Sequence, residues 1–382
     1  MISRSRLGIT PERSLPSWSA LERCPLHLLG ALYALALPFV SNDEHLDVWY
    51  CQANPSIDAL WRLVYDQLQE EIHQPQLSVV QAALLYLHKE PQNDSRYALS
   101  DTPFTWAWTG KVVGLAASLS LNTESSMFAI PSWEKRLRKR VWWAVYAEDK
   151  WRSLLTGRPP YIHRQEWDVE ELEPVHFAFS SSELSGNGHN PFQRFVELAR
   201  IAETVQETFY SLRASQQLSI DLTASVQAAR PVLERLNQWR SSLAYQKNGA
   251  EGDPSSGNTR HQSLILFGHH ILIMYVYRAL FRPMVESTIP PHIIDLEEPI
   301  INDSLAFDGL RWDVPSLESI IPFPALDTTA DSQAEIVEDI TRAANECAVG
   351  MINLVRRFSL ADYSSFWYSC KCHHPGAQCC II

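Results

Sequence analysis

Residues 134–160, EKRLRKRVWWAVYAEDKWRSLLTGRPP, constrain the fold more than any other stretch of this chain. Leu137, Val141, Ala144, Val145, Glu148 and Trp151 recur every three or four residues, which predicts an α-helix with one mostly apolar face. Trp142, Tyr146 and Asp149 keep the same step on a neighbouring face. Pro131 closes the preceding loop and Ser132 is a natural N-cap. At the other end Gly157 supplies the left-handed stop that helix C-termini favour, and Pro159–Pro160 forbid continuation.

The rest of the chain follows the same periodicity. Leu21–His88 reads as three helices joined by short polar turns, with three-to-four spacing clearest over Asp58–Gln69 and Ser78–Leu87. Thr102 before Pro103 is a cap followed by a first-turn proline, opening a helix that runs to about Leu121. Tyr161–Pro174 is acidic and extended, and Phe179–Asn190 is a polar loop. Helices are expected from Pro191 to before Ser211 and over Ser219–Leu243, where Pro231 breaks or kinks the second. The chain is therefore expected to be all-α, a multi-helix bundle or irregular helical array with long polar loops.

The expected organisation starts with a flexible segment over 1–20 and the first part of a helical domain over 21–245. A Gly/Ser/Asp/Pro-containing linker over 246–260 leads into a central apolar helix over 261–286. Residues 287–333 carry six prolines and nine acids against one arginine, a composition that opposes a packed helix and reads as a long loop. A C-terminal helix of the same domain occupies 334–368, and an atypical Cys-rich tail occupies 369–382.

With 382 residues, 46% of them apolar, the chain can bury a sizeable core. Its 44 acids against 32 bases give a formal charge of −12, which disfavours a general nucleic-acid-binding surface. The cysteines Cys24, Cys51 and Cys347 lie far apart and suggest no disulfide scaffold, so a reducing compartment is expected. The first ten residues lack a signal-peptide core. The uncharged stretches Leu28–Val40 and Leu264–Tyr277 are too short to span a bilayer.

Several constellations bear on chemistry. The basic run Lys135, Arg136, Arg138, Lys139, Arg140 resembles an import signal or phosphate patch. So many cations near a helix start oppose its dipole, however, so acids such as those of residues 166–173 are expected to neutralise them. Asp149 sits among aromatics and needs a partner, for which Arg158, just beyond the helix stop, is the obvious candidate. Trp106, Trp108, Trp142, Trp143 and Trp151 read as core before they read as a ligand pocket. His269 and His270 are adjacent, hence on different helix faces, and read as core histidines. Cys370, Cys372, His373, His374, Cys379 and Cys380 crowd the tail without standard zinc spacing, and a terminal prenylation box has no polybasic support. No P-loop or nucleophile elbow appears, and no catalytic residue, cofactor site or metal site is assigned.

Arg138, Arg140, Trp142, Trp143, Tyr146, Asp149, Gly157, Arg158 and Pro159, in this order and spacing, resemble the middle regulatory region of fungal zinc-cluster transcription factors. Leu28–Phe39, Val79–Leu87 and Trp108–Leu121 look like the helices preceding that motif, and Arg278–Pro283 and Ala343–Ala348 look like later family elements. Within the family, LLGALYALALPF and WWAVYAEDKW look closest to activators of nitrogen catabolism. The resemblance implies a nuclear regulatory domain acting by masking, effector sensing or contact with the transcription machinery or a co-regulator, alone or as a homo- or heterodimer. The family's DNA-binding unit uses six cysteines and two zinc ions, a pattern this sequence does not contain, so zinc and DNA contact are expected only through that unit or a partner. On this reading the chain is the regulatory region alone, and its Cys-rich end looks like read-through. A helical scaffold without a transcriptional role, and less so an all-helical enzyme, are the alternatives.

Overall fold

The computed structural model describes residues 22–42, 46–48, 50, 55–89, 102–177, 190–247, 258–286 and 333–358. The expected 1–20 segment, the 287–333 loop up to residue 332 and the 369–382 tail lie outside the described residues. Among those described, the chain is all-α with no strand. It divides into two units, the first running to Glu203 and the second formed by Thr204–Glu251 with Leu266–Ser359. One break of that division, after Glu203, falls inside a helix, where the sequence reading places no boundary, and another, after Glu251, falls within the expected 246–260 linker.

The first unit begins with α1 (Leu26–Ala36), α2 (Ile57–Glu71) and α3 (Leu77–Tyr86), which pack on one another. Small residues Gly30, Ala31 and Ala34 form the buried face of α1, and close approach is built into it: a Cβ on Gly30 would lie 3.0 Å from Val64 Cγ2. Next come α4 (Pro103–Ser118) and α5 (Ser132–Thr156). Thr102 caps α4 as expected, its hydroxyl accepting from the amide of Thr105 at 3.1 Å. Trp108 of α4 donates its indole N–H to the Ala83 carbonyl of α3 at 3.0 Å. Around it Tyr65, Tyr86 and Phe104 form a continuous aromatic cluster, with ring centroids 4.8 Å apart for the Tyr86–Trp108 pair.

The helix α5 is the axis of this unit. From Val141 to Leu154 it is buried on nearly its whole circumference, not on a single face. It starts one residue before expectation, with Ser132 already helical and the Pro131 carbonyl accepting from Glu134 and Lys135. Gly157 ends it at φ 67°, the left-handed geometry that favours glycine. The unit closes with α6 (Pro191–Val205), on which Phe195 stacks on Trp151.

The second unit contains a short π-helix (Gln206–Tyr210), α7 (Leu212–Leu218), α8 (Leu222–Lys247), most of α9 (Asn258–Glu286) and α10 (Gln333–Arg356). The helix α8 runs unbroken through Pro231, and α7 is a short helix the periodicity does not announce. Arg282, within the RALFRP element, lies over the Tyr210 ring and donates to the Phe209 carbonyl at 2.8 Å. The apolar part of α9, Leu264–Val285, reaches a bilayer-spanning length that the sequence reading did not give it. Two thirds (67%) of an 18-residue window within it is buried inside the protein, as a core helix requires.

Glycines on α4 give a matched test of this packing. A Cβ on Gly110 would lie 2.7 Å from the Tyr161 ring, whereas one on Gly114 meets nothing within 4 Å. Gly114→Ala should stabilise the chain by about 0.5–1 kcal/mol through helix propensity. Gly110→Ala should fall short of that gain by about 1–3 kcal/mol because Tyr161 must leave its stack on Trp106. Urea denaturation of the two variants measures the difference.

Candidate functional site

The family-like residues of α5 converge on the segment that follows them, residues 158–173. Asp149 is completely buried, and its carboxylate accepts the backbone amides of Tyr161 at 2.9 Å and Ile162 at 3.0 Å. Lys150 lies beside it, its ammonium 3.5 Å from Asp149 Oδ2 and 3.0 Å from Glu203 Oε1, and it also donates to the Ile162 carbonyl. Tyr146 completes the group by donating to Glu203 Oε2 at 2.8 Å. Burial pushes the Asp149 carboxyl above the usual carboxylate range, a rise only opposed by Lys150 and the two amides.

This corrects the expected Asp149–Arg158 bridge. Arg158 instead lies over the Trp106 ring, 5.6 Å from its centroid, and Trp106 stacks on Tyr161 at 4.4 Å. The physical reason is local. The left-handed Gly157 turns the chain back, so the amides of 161 and 162 point at Asp149 before Arg158 can reach it. Pro159 is exposed in that turn.

The returning segment is then tied along α5. Ile162, Val169 and Leu172 are buried, and Trp167 meets Trp143 at 5.4 Å, Tyr146 at 5.5 Å and Trp142 at 6.4 Å. The Trp143 indole donates to the Glu170 carbonyl at 2.9 Å. The loop before α5 joins in: Asn122 donates to the Glu166 carbonyl at 2.9 Å, and the Glu124 amide donates to Asp168 at 2.7 Å.

Within the basic run, Lys139 is neutralised by an acid of the 166–173 stretch, as expected. Lys139 is buried and sits 3.0 Å from both Glu124 and Glu170. Burial works against the Glu124 charge, but the Glu170 amide, Lys139 and the Ser126 amide together hold its carboxyl below the ordinary value. Arg138 pairs with Glu134 at 3.9 Å, donates to the Leu119 carbonyl and lies over Phe128. Arg140 is half-buried on the same helix. Further along, Glu148 holds Arg152 at 2.8 Å and His88 at 3.2 Å.

Trp142, Trp143 and Trp151 are core residues, and Trp108 likewise; Trp106 is half-buried. Sequence reasoning missed Tyr161, Ile162, Trp167 and Glu203 as members of this constellation. Trp167 carried a signal, a lone aromatic within an acidic run, whereas backbone amides carry none. In the second unit His269 and His270 are both buried. His269 Nε2 meets the Leu236 carbonyl at 3.1 Å and His270 Nδ1 meets the Leu266 carbonyl at 2.8 Å. Among the described residues no group of three or more His, Cys, Asp or Glu is placed to hold a metal ion.

Two outcomes follow from this geometry. Asp149→Ala strands two amides and should cost roughly 2–5 kcal/mol, measured by chemical denaturation. Burial, with His270 and Arg240 nearby, depresses His269 to about 3, below its ordinary 6.5. The unfolded chain then binds the extra proton, so the His269 contribution is intact above about 6.5 and is lost as pH falls toward about 3. Stability should drop by up to about 1.4 kcal/mol per pH unit from this residue across that window, and His269→Phe should flatten the slope.

Residues 9–241 match the fungal specific transcription factor domain, a span that includes α5 and its returning segment. An uncharacterized transcriptional regulatory protein of Schizosaccharomyces pombe is 30% identical over 192 residues, 50% of this chain and 27% of the relative. The transcriptional activator protein DAL81 of Saccharomyces cerevisiae is 26% identical over 258 residues, 56% of this chain and 25% of its own length. Cutinase transcription factor 1 beta of Fusarium vanettenii is 26% identical over 176 residues, 46% of this chain and 18% of its own. The chain thus spans about a quarter or less of these curated relatives. No solved structure matches it. A scaffold with no transcriptional role finds no support among these relatives, and the chain belongs to the fungal specific transcription factor domain family as a regulatory domain.

Proposed function

We propose that this chain controls the output of a transcription activator or repressor in the nucleus, through an effector or a protein partner and without catalysis. The observation that supports the reading is the family match over residues 9–241, a span that takes in α5 and its returning segment. The family-like residues there hold a returning segment against a central helix, which suits a domain whose folded state is read by other proteins. The partners on this reading are the transcription machinery or a co-regulator, engaged by a monomer, a homodimer or a heterodimer. DNA contact comes through a zinc-cluster unit or a partner, since the six-cysteine pattern is not within this sequence. A narrower role in nitrogen catabolism rests on the resemblance of LLGALYALALPF and WWAVYAEDKW alone.

The test is a reporter assay in a fungal host. The full chain is inserted between a heterologous DNA-binding domain and an activation module. Reporter output should differ several-fold from that of the fusion without it, and Asp149→Ala should move the output back toward that reference. Equal output from all three fusions at matched protein levels would rule the regulatory reading out.

A further inference from the structure

The C-terminal turns of α9, in the second unit, bring Tyr275, Arg278, Arg282 and Val285 onto one face, because these residues recur every three or four positions. Arg282 is half-buried and held by neutral groups alone. Its Nη1 donates to the Phe209 carbonyl at 2.8 Å and to the Ser215 hydroxyl at 3.2 Å, and its guanidinium lies 4.5 Å from the centre of the Tyr210 ring. Tyr210 in turn donates to the Tyr275 carbonyl at 2.7 Å, so the π-helix is fastened to this face at two points. Arg278, one turn before Arg282, is exposed. Among the described residues neither arginine forms an ion pair with a carboxylate. The chain has acids to spare, 44 against 32 bases, yet none closes on this pair. Two like charges one helical turn apart repel, and an anion placed against both relieves that repulsion.

The surroundings narrow what could serve them. The head of Arg282 reaches both Phe209 and Ser215, so it lies across the turn that contains Leu212. Leu212 shares the Ser215 side of α7, three residues away, and is 76% exposed. Val285, at the other end of the arginine pair, is 51% exposed. Arginines flanked by exposed apolar side chains on a helix face have the make-up of a protein interface. The charge selects the partner. Two guanidinium forks match two carboxylates, whereas a nucleic acid or an anionic bilayer would be repelled by a chain of formal charge −12 that offers it only two cations here.

We infer that this face of α9, with Leu212 of α7 beside it, docks an acidic segment of a partner protein, whose carboxylates pair with Arg278 and Arg282 and whose apolar side chains meet Leu212 and Val285. The surface gives the regulatory reading a partner class and rests on that reading only for its purpose, since binding is measured without a reporter.

The experiment titrates the full chain at pH 7 into a fluorescein-labelled synthetic peptide that alternates Asp or Glu with Leu or Phe, and reads fluorescence anisotropy. The same peptide with Asn and Gln in place of the acids is the reference. Wild type should bind the acidic peptide roughly tenfold or more tightly than the reference. Arg278→Glu should weaken the acidic peptide roughly tenfold while leaving thermal unfolding unchanged, because the residue is exposed. Leu212→Ser should weaken both peptides several-fold. Arg213→Glu makes the same charge change at an exposed position two residues from Ser215, hence on another face of α7, and should leave both affinities unchanged. Equal affinity for the two peptides, or equal losses in Arg278→Glu and Arg213→Glu, would overturn the proposal. So would self-association in sedimentation velocity that Arg278→Glu abolishes, which would make a second copy of the chain the occupant. Reporter fusions of equal output alongside acidic-peptide binding would remove the regulatory reading and keep this surface. A regulatory effect without acidic-peptide binding would do the reverse.

Discussion

One fully buried carboxylate organises the first unit. Asp149 accepts two consecutive amides, from Tyr161 and Ile162, and so fixes where the chain goes after α5 ends. A helix that stops at a left-handed glycine can leave in many directions. Here the two amide bonds select one, and everything from Trp167 to Leu172 then lies along α5. The Trp143–Glu170 hydrogen bond and the Lys139 ion pairs with Glu124 and Glu170 all depend on that return path.

The energetics favour a positioning role for this group over a purely stabilising one. Burial raises the Asp149 carboxyl despite Lys150 and both amides, so desolvation outweighs the attractions that hold the charge. An apolar core of the same volume could be as stable, but it could not specify two adjacent backbone amides. Lys150 extends the same logic. Its ammonium links Asp149 to Glu203, and Tyr146 bonds the other Glu203 oxygen, so α5 and the end of α6 are set by one polar chain.

Much of this was legible in the sequence because the signals are local. Three-to-four spacing placed the helices, Thr102 and Pro103 marked the start of α4, and Gly157 with its prolines marked the end of α5. The acidic run after the helix was correctly paired with the basic run before it, through Lys139 and Glu170. The partner of Asp149 was not legible. Arg158 offered charge at a short distance in sequence, whereas the true partners are peptide groups at positions 161 and 162, and any residue but proline has such an amide. Likewise, nothing in composition marks the unit division at Glu203, because it lies within a continuous helix and not in a Gly/Ser-rich linker. At Pro231, where a break or a kink is expected, α8 continues without a break, and Val226, Ala229, Val232 and Leu236 around it are buried.

Native-state hydrogen exchange at the Tyr161 and Ile162 amides tests the central claim most directly. If Asp149 directs the chain's return along α5, both amides should exchange only when the first unit unfolds, with protection close to that of the α5 core. Exchange as fast as at the exposed neighbours Arg164 and Gln165 would contradict the account and leave the returning segment without its anchor.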